Sequence, residues 1–326
     1  MAKLNMVQAL NLAFKQEMAK SPEVVVLGED VGLNGGVFRV TDGLFQQFGE
    51  QRSIDTPLAE SAIMGTAIGM ALAGMRPVAE LQFDGFSYAI INQLETAASR
   101  YRSRTHGQFT VPLVVRIPYG GGVRALEHHS ESRETLFAHI PGVKVVVPST
   151  PRNARALLVA AIRDPDPVVF LEPKRSYRAF KEEVPDEEEV LPLGKAQRVG
   201  EGDTVTVISW GAMMRPTLQA VEQVETQRGV KCDVLDLLTL SPLDAEAIAS
   251  SVKRTGRAVV VQEQPKSLGI GAEVIARVND HALMYLEAPV KRVTGYDVVT
   301  PYFGRENMYI PSVERIVDGI LQTLDF

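Results

Sequence analysis

The chain has 326 residues, 45% of them hydrophobic and 23% charged, the profile of a soluble globular protein with room for about two domains. Forty acidic against thirty-four basic side chains leave a formal net charge of −6, which argues against nucleic-acid binding through bulk positive charge. The single cysteine, Cys232, excludes an intrachain disulfide and a cysteine-based metal cluster. The first residues, MAKLNMVQAL, lack the apolar core and cleavage site of a signal peptide. The most apolar stretch, Ser61–Gly74, is shorter than the roughly 20 residues that cross a bilayer. A cytoplasmic location with no membrane association is therefore expected.

In chain order, the pattern predicts a helix over Met6–Ala19, a strand over Val24–Leu27 and a short strand at Ser53–Ile54. A helix over Leu58–Ala73 follows, opened by Thr56-Pro57, since threonine caps well and proline suits the first helical position. This helix has no obvious polar face, so it is expected to be buried all round. Next come a strand at Arg76–Gln82, a helix at Ala89–Tyr101, strands at Pro112–Ile117 and Val143–Val147, a helix at Pro151–Ile162 and a strand at Val168–Leu171. Strands alternating with helices imply a parallel sheet covered on both faces. Phe180–Asp203 breaks the pattern. It is acidic, contains prolines and glycines, lacks periodicity, and reads as an interdomain linker. Alternation resumes with strands at Val205–Ser209, Lys231–Asp236, Ala258–Gln262 and Val290–Gly295. Helices are placed near Met213–Gln227, Asp244–Lys253 and Ala272–Asp280. The expected organisation is a first α/β domain over 1–180, a linker over 181–203 and a second, smaller α/β domain over 204–326.

Ligands of open parallel sheets sit at the carboxyl ends of the strands, so chemistry is sought in the loops that follow them. GEDVGLNGGVF follows the first strand and carries Glu29. Glu60 follows Ser53–Ile54, FDGFSY with Phe86 follows the next strand, and PYGGGVRALEHHSES with His128-His129 follows Pro112–Ile117. Each feature also has a plain reading. Acidic residues favour helix N-termini, although a capping box would put the acid at position 59, which is alanine. Three glycines make a flexible turn, a lone histidine pair is commonly a surface feature, and Phe86 by default is core. Adjacent histidines rarely converge on one metal ion, and no third ligand is evident. SRYRSRTH reads as a helix end facing solvent or a partner. GIGAEV at Gly269 is a weak match to a dinucleotide fingerprint, because it lacks the later glycine and does not open the first strand–helix unit. No phosphate-binding Walker loop and no Gly-x-Ser-x-Gly elbow is present.

GEDVGLNGGVF, DTPLAE, ELQFDGFSY, GGGVRALEHHSES, AIRDPDPVVFLEP and SVKRTGRAVVVQE, in this order, resemble the β subunits of the decarboxylating first component of 2-oxo acid dehydrogenase complexes. The resemblance covers essentially the whole chain. It implies two doubly wound α/β domains, a transketolase-like pyrimidine-binding domain followed by a transketolase C-terminal-type domain. It also implies thiamine diphosphate shared with an α subunit, in a heterotetramer of two α and two β chains. Glu60 matches the glutamate that hydrogen-bonds N1′ of the aminopyrimidine. That bond favours the imino tautomer, whose nitrogen takes the thiazolium C2 proton. Burial in a low dielectric would strengthen the bond. Phe86 matches the aromatic that packs on the pyrimidine, with Gln82 and Leu58 beside it. His129, directly before Ser130, matches a histidine that contacts substrate and assists acylation of the lipoyl group, work suited to a group that switches charge near neutrality. Glu29 matches an acidic position on a path between active sites. Leu113, Ala161, Ile162, Asp164 and Asp166 match a potassium site built largely from carbonyls, with Asp166 where a relative has asparagine.

The Gly-Asp-Gly…Asn motif that holds Mg2+ and diphosphate is absent, and the family places it on the α chain. The chain alone is thus expected to be half an active site. The implied partners are the α subunit and the lipoyl and subunit-binding domains of a dihydrolipoyl acyltransferase core. Gly85-Phe86 and Glu127 resemble pyruvate enzymes, whereas HHS and EPKRSYR resemble branched-chain (2-oxoisovalerate) relatives; pyruvate is favoured. Readings from other classes are a nucleotide-binding dehydrogenase, which would need GxGxxG after the first strand, and a non-catalytic scaffold subunit.

Overall fold

The run Val24–Leu27 holds four consecutive apolar residues, and the strand it forms, Val24–Gly28, is buried along its whole length. Such a run suits a central strand of a parallel sheet, covered on both faces. In the computed structural model, which describes residues 2–326, it lies between the parallel strands Ser53–Asp55 and Arg76–Glu80. The sheet continues beyond Arg76–Glu80 through Val114–Tyr119, Val168–Pro173 and Lys144–Val146, all parallel. Two helices of this unit start on capping boxes: Asn5 with Gln8 opens Met6–Lys20, and Thr150 with Asn153 opens Pro151–Arg163. These two helices pack against each other.

The chain divides into two units by its contacts. The first comprises residues up to Tyr119 together with Leu136–Leu193, and the second Gly120–Thr135 together with Gly194–Phe326. Contiguous blocks read from sequence could not show that the loop 120–135 packs with residues far along the chain. In the second unit the parallel strands run in the order Lys291–Gly295, Ala258–Pro265, Val205–Ser209, Cys232–Asp236, with Gln197–Gly200 antiparallel at the edge. The fold class expected from sequence, two α/β units on largely parallel sheets, is the one found.

Four local expectations are corrected. The supposed linker contains two short strands. Glu182–Val184 pairs antiparallel with Ala2–Leu4 in the first unit, and Gln197–Gly200 pairs with Cys232–Asp236 in the second. Both are polar edge strands, held by backbone pairing, so they leave little apolar signal. The helix after DTPLAE begins at Glu60, not Leu58, and Thr56 does not cap it. Instead the Thr56 N–H bonds to the Gly28 carbonyl at 3.0 Å, extending strand pairing past Asp55. Nor is this helix buried all round: Ile63, Met64, Ala67, Ile68 and Ala71 are buried, while Ser61, Ala62, Gly65, Thr66 and Gly69 are exposed. Small residues of neutral polarity concealed the second face. The helix expected over Ala89–Tyr101 breaks at Ala97. There Ser99 Oγ and Arg100 Nε both donate to the Glu95 carbonyl at 2.8 Å and compete with the helical ladder.

A C-terminal helix, Val313–Leu324, lies beyond the last element assigned from sequence. Ser312 caps it, and it packs on Met214–Arg228. No described helix is long and apolar enough to cross a membrane.

Candidate active site

Three neighbouring strands of the first unit, Arg76–Glu80, Val24–Gly28 and Ser53–Asp55, run parallel, so the loops leaving their carboxyl ends share one edge. Those loops carry Gln82 and Phe86, Glu29, and Leu58 and Glu60 respectively. The five residues expected to face the cofactor pyrimidine are therefore brought to one edge by topology. His129 is carried by the second unit.

Glu60 opens its helix as the acidic residue of the first turn. It is half-buried, not sequestered in a dry core, because the helix mouth is open. Its carboxylate makes no hydrogen bond or ion pair with another described residue. Glu29 is also half-buried, and its carboxyl is held above the ordinary range by burial first, then by the charges of Asp30 and Glu60. The charge of Glu60 thus bears on Glu29 at this edge. Phe86 ends a 3-10 turn, Asp84–Phe86, and meets Phe83 edge-on with ring centroids 5.8 Å apart. Phe83 in turn meets Phe38 at 5.5 Å. Phe86 is partly exposed, so it is not simply core. Leu58 is 71% exposed, an apolar side chain offered to a ligand or a partner.

Sequence reading missed what holds these loops. Asp55 accepts the Gly32 N–H at 2.6 Å and the Leu33 N–H at 3.0 Å, pinning the glycine-rich loop to the segment that carries Glu60. A Cβ at Gly32 would lie 2.7 Å from the Asp55 carboxylate, so any side chain there would displace it. Beneath the same edge, Arg116 grips Glu172 with two parallel hydrogen bonds of 2.6 Å and also bonds Glu80. The Tyr177 hydroxyl donates to Glu172 at 2.6 Å. All four side chains are buried. Burial pushes the Glu80 carboxyl up against the pull of Arg116, and burial beside Glu172 pushes the Tyr177 phenol well up. The signal was present as a charge inside each of three apolar strand runs, VAE, VVRIP and FLEP.

The triple glycine is not a loose turn. Gly120 and Gly122 take positive φ of 81° and 87°, and a Cβ at Gly121 would meet Glu306 Oε1 at 2.9 Å. The loop ends in a 3-10 turn, Glu127–His129, in which the His129 N–H bonds to the Leu126 carbonyl at 2.9 Å. The rings of His128 and His129 meet edge-on, with centroids 6.3 Å apart and planes at 78°.

The residues matched to a potassium site are engaged by groups of this chain. The Leu113 carbonyl accepts Val168 N–H at 2.9 Å, and the Ala161 carbonyl accepts Asp164 N–H at 3.2 Å. Arg76 Nη1 reaches the Ile162 carbonyl at 2.9 Å. Lys144 Nζ sits 2.6 and 2.7 Å from the two Asp164 carboxylate oxygens, and Arg102 Nε lies 2.6 Å from Asp166. Three protein cations already supply the positive charge, and a further ion would be repelled by them. Among the described residues no group of three or more His, Cys, Asp or Glu could hold a metal ion.

The weak dinucleotide match is packing. Gly271 N–H bonds to Gln262 Oε1 at 2.7 Å and Ile270 N–H to Gln264 Oε1 at 3.1 Å, so side chains cap the helix start where a pyrophosphate would sit. A Cβ at Gly269 would fall 2.0 Å from Gln262 Nε2.

The transketolase pyrimidine-binding domain family matches residues 2–179, and the transketolase C-terminal domain family matches residues 194–316. The pyruvate dehydrogenase E1 component β subunit of Acholeplasma laidlawii is 52% identical over 316 residues, 97% of this chain and 96% of that one. Its counterpart in Bacillus subtilis is 47% identical over 326 residues, all of both chains. The chain belongs to the family of pyruvate dehydrogenase E1 β subunits. A solved structure described as a split-gene transketolase, an inactive β4 tetramer, matches with a TM-score of 0.82 at 21% identity, covering 99% of each chain, and shows the same fold.

Proposed function

We propose that the chain is the β subunit of a pyruvate dehydrogenase first component, acting on thiamine diphosphate shared with an α subunit. The observation that supports this most is Glu60. It is a carboxylate at an open helix mouth, without a hydrogen-bond or ion-pair partner among the described residues, set on the same strand-end edge as Glu29, Gln82 and Phe86. The residues present fit the aminopyrimidine: an acid for its ring nitrogen, a partly exposed aromatic and an exposed leucine. When bound, the cofactor supplies a carbon nucleophile that accepts the 2-oxo acid and lets it lose carbon dioxide.

Each residue of this chain then has a distinct task. Glu60 holds a proton at the pyrimidine N1′, a role that needs an anionic acceptor in a site shielded from bulk water. Glu29, whose carboxyl is raised by burial, then by Asp30 and Glu60, adds a second acid at the same edge. Phe86 and Leu58 exclude water from the ring, and Gln82 offers an amide to its polar edge. His129 contacts the substrate carbonyl and delivers or accepts a proton as the acyl group passes to a lipoyl sulfur. The Mg2+-diphosphate falls to the α chain, since this sequence lacks the Gly-Asp-Gly…Asn motif. Assembly is as two α and two β chains, docked on an acyltransferase core in the cytoplasm. Pyruvate, not a branched-chain 2-oxo acid, is the substrate, in line with the names of the relatives.

The test is Glu60→Ala in the assembled enzyme, with Glu60→Gln beside it. Turnover with pyruvate should fall by about a hundredfold to a thousandfold, the scale of removing one preorganised group that acts in the transition state. The subunits should still co-purify. Full activity in Glu60→Ala would remove the assignment.

A further inference from the structure

The loop that carries His129 is gripped by two buried carboxylates from distant parts of its own unit. Glu263, near the end of the strand Ala258–Pro265, accepts the Gly121 N–H at 2.6 Å and the Ser132 hydroxyl at 3.0 Å. Glu306, which opens a short helix, accepts the Gly122 N–H at 2.6 Å and the Arg124 N–H at 3.1 Å. Glu263 and Glu306 are only 3% and 2% exposed. The base of the loop is closed by Gly120 N–H on the Glu131 carbonyl at 2.7 Å. Farther along, Trp210 Nε1 lies 3.2 Å from Glu134, and Gln264 Nε2 lies 3.1 Å from Thr135 Oγ1.

Apolar packing does little for the centre of this loop. Val123 and Leu126 are 41% and 54% exposed. Its geometry is set mainly by charged acceptors on backbone N–H groups, the stronger class of hydrogen bond. Burying two carboxylates is costly, and a neutral acceptor such as glutamine would satisfy backbone N–H groups of a merely structural turn at lower desolvation cost. The fit is also tight: a side chain at Gly121 would have to displace the Glu306 carboxylate, 2.9 Å from the Cβ position. Four residues downstream of Arg124 begins the pair His128-His129, fixed by the 3-10 turn.

We infer that Glu306, assisted by Glu263, is a positioning residue: by clamping the Gly121–Arg124 backbone it sets where His129 stands for acyl transfer to the lipoyl group. The inference rests on the role proposed above for His129. Catalytic groups must be held to a fraction of an ångström, and a displacement of about 1 Å can cost a hundredfold in rate. Within the turn the His129 N–H bonds to the Leu126 carbonyl at 2.9 Å, the Ser130 N–H to the Glu127 carbonyl at 3.0 Å and the Ser130 hydroxyl to the Leu126 carbonyl at 3.0 Å, so the clamp on the preceding backbone is passed directly to His129.

The experiment uses the assembled enzyme with Glu306→Gln, Glu306→Ala, His129→Ala and the double variant His129→Ala/Glu306→Ala. Two half-reactions are read: pyruvate-dependent dye reduction, which needs decarboxylation only, and acetylation of a free lipoyl domain. His129→Ala is read first; if it spares lipoyl acetylation, the role of His129 itself fails and the inference falls with it. If His129→Ala does impair acetylation, Glu306→Ala should lower the same half-reaction at least about tenfold while dye reduction changes little. It should add no further loss in the His129→Ala background, because both act through one group. Glu306→Gln keeps one acceptor oxygen and the side-chain shape, so it should fold and lie between wild type and alanine. Equal losses in both half-reactions, or losses that multiply in the double variant, would show that Glu306 merely supports folding and would overturn the inference.

Discussion

Arg116→Met offers the sharpest test of how the cofactor edge is supported. Arg116 is 1% exposed and makes two 2.6 Å bonds to Glu172 and a third to Glu80, both themselves buried. Methionine approximates its length without the charge. The change leaves two carboxylates facing each other with no cation, and breaking a buried pair from one side costs about 3–5 kcal/mol. The loss must depend on pH. Glu80 already stands above its ordinary 4.5, through burial first, opposed by Arg116 and reinforced by Glu172. Without Arg116 it rises further. A carboxyl raised in the folded state costs nothing while both states are protonated. It destabilises increasingly as pH climbs from the unfolded value through the folded one, and the cost is constant beyond. Urea denaturation of the purified protein at about pH 5 and about pH 8 should therefore show the larger deficit at the higher pH. Adding Glu80→Gln and Glu172→Gln should recover much of it, since neutral side chains need no counter-charge. A deficit below about 1 kcal/mol, or one equal at both pH values, would refute the account of a charge-compensated triad.

Gly32→Ala should displace Asp55, since the new Cβ would stand 2.7 Å from its carboxylate. It should weaken thiamine diphosphate binding by about tenfold and add nothing in an Asp55→Ala background, measured by calorimetric titration of the assembled enzyme. Replacing potassium by sodium or choline should leave the thermal midpoint unchanged, because Lys144, Arg76 and Arg102 already hold the acidic turn. Lys144→Met should lower the midpoint by a few degrees at most, as expected for a half-exposed ion pair. A potassium-dependent midpoint in the native protein would contradict this.

Much of the fold was legible because strands of parallel sheets are long apolar runs and helices announce themselves by caps. Val24–Gly28, Val205–Ser209 and Pro151–Arg163 were found within a residue or two. The edge strands Glu182–Val184 and Gln197–Gly200 were not, because edge pairing uses backbone groups that composition does not register. The exposed face of the Glu60 helix was hidden for a related reason. Alanine and glycine serve equally in a core, on a surface or against a partner, so Gly65 and Gly69 gave no orientation.

The site shows the same division. The sequence by itself determined the residue types: an acid at a helix start, an aromatic after a strand, a histidine beyond three glycines, and through their order the family. Only the tertiary structure decided that Asp55 ties two loops together, that Lys144 and Arg76 bond to Asp164 and the Ile162 carbonyl, and that Glu263 and Glu306 hold the His129 loop from more than a hundred residues away. Local pattern records what each residue prefers near its neighbours in the chain. Which distant carboxylate accepts a given backbone N–H is fixed by packing, and packing is a property of the folded whole.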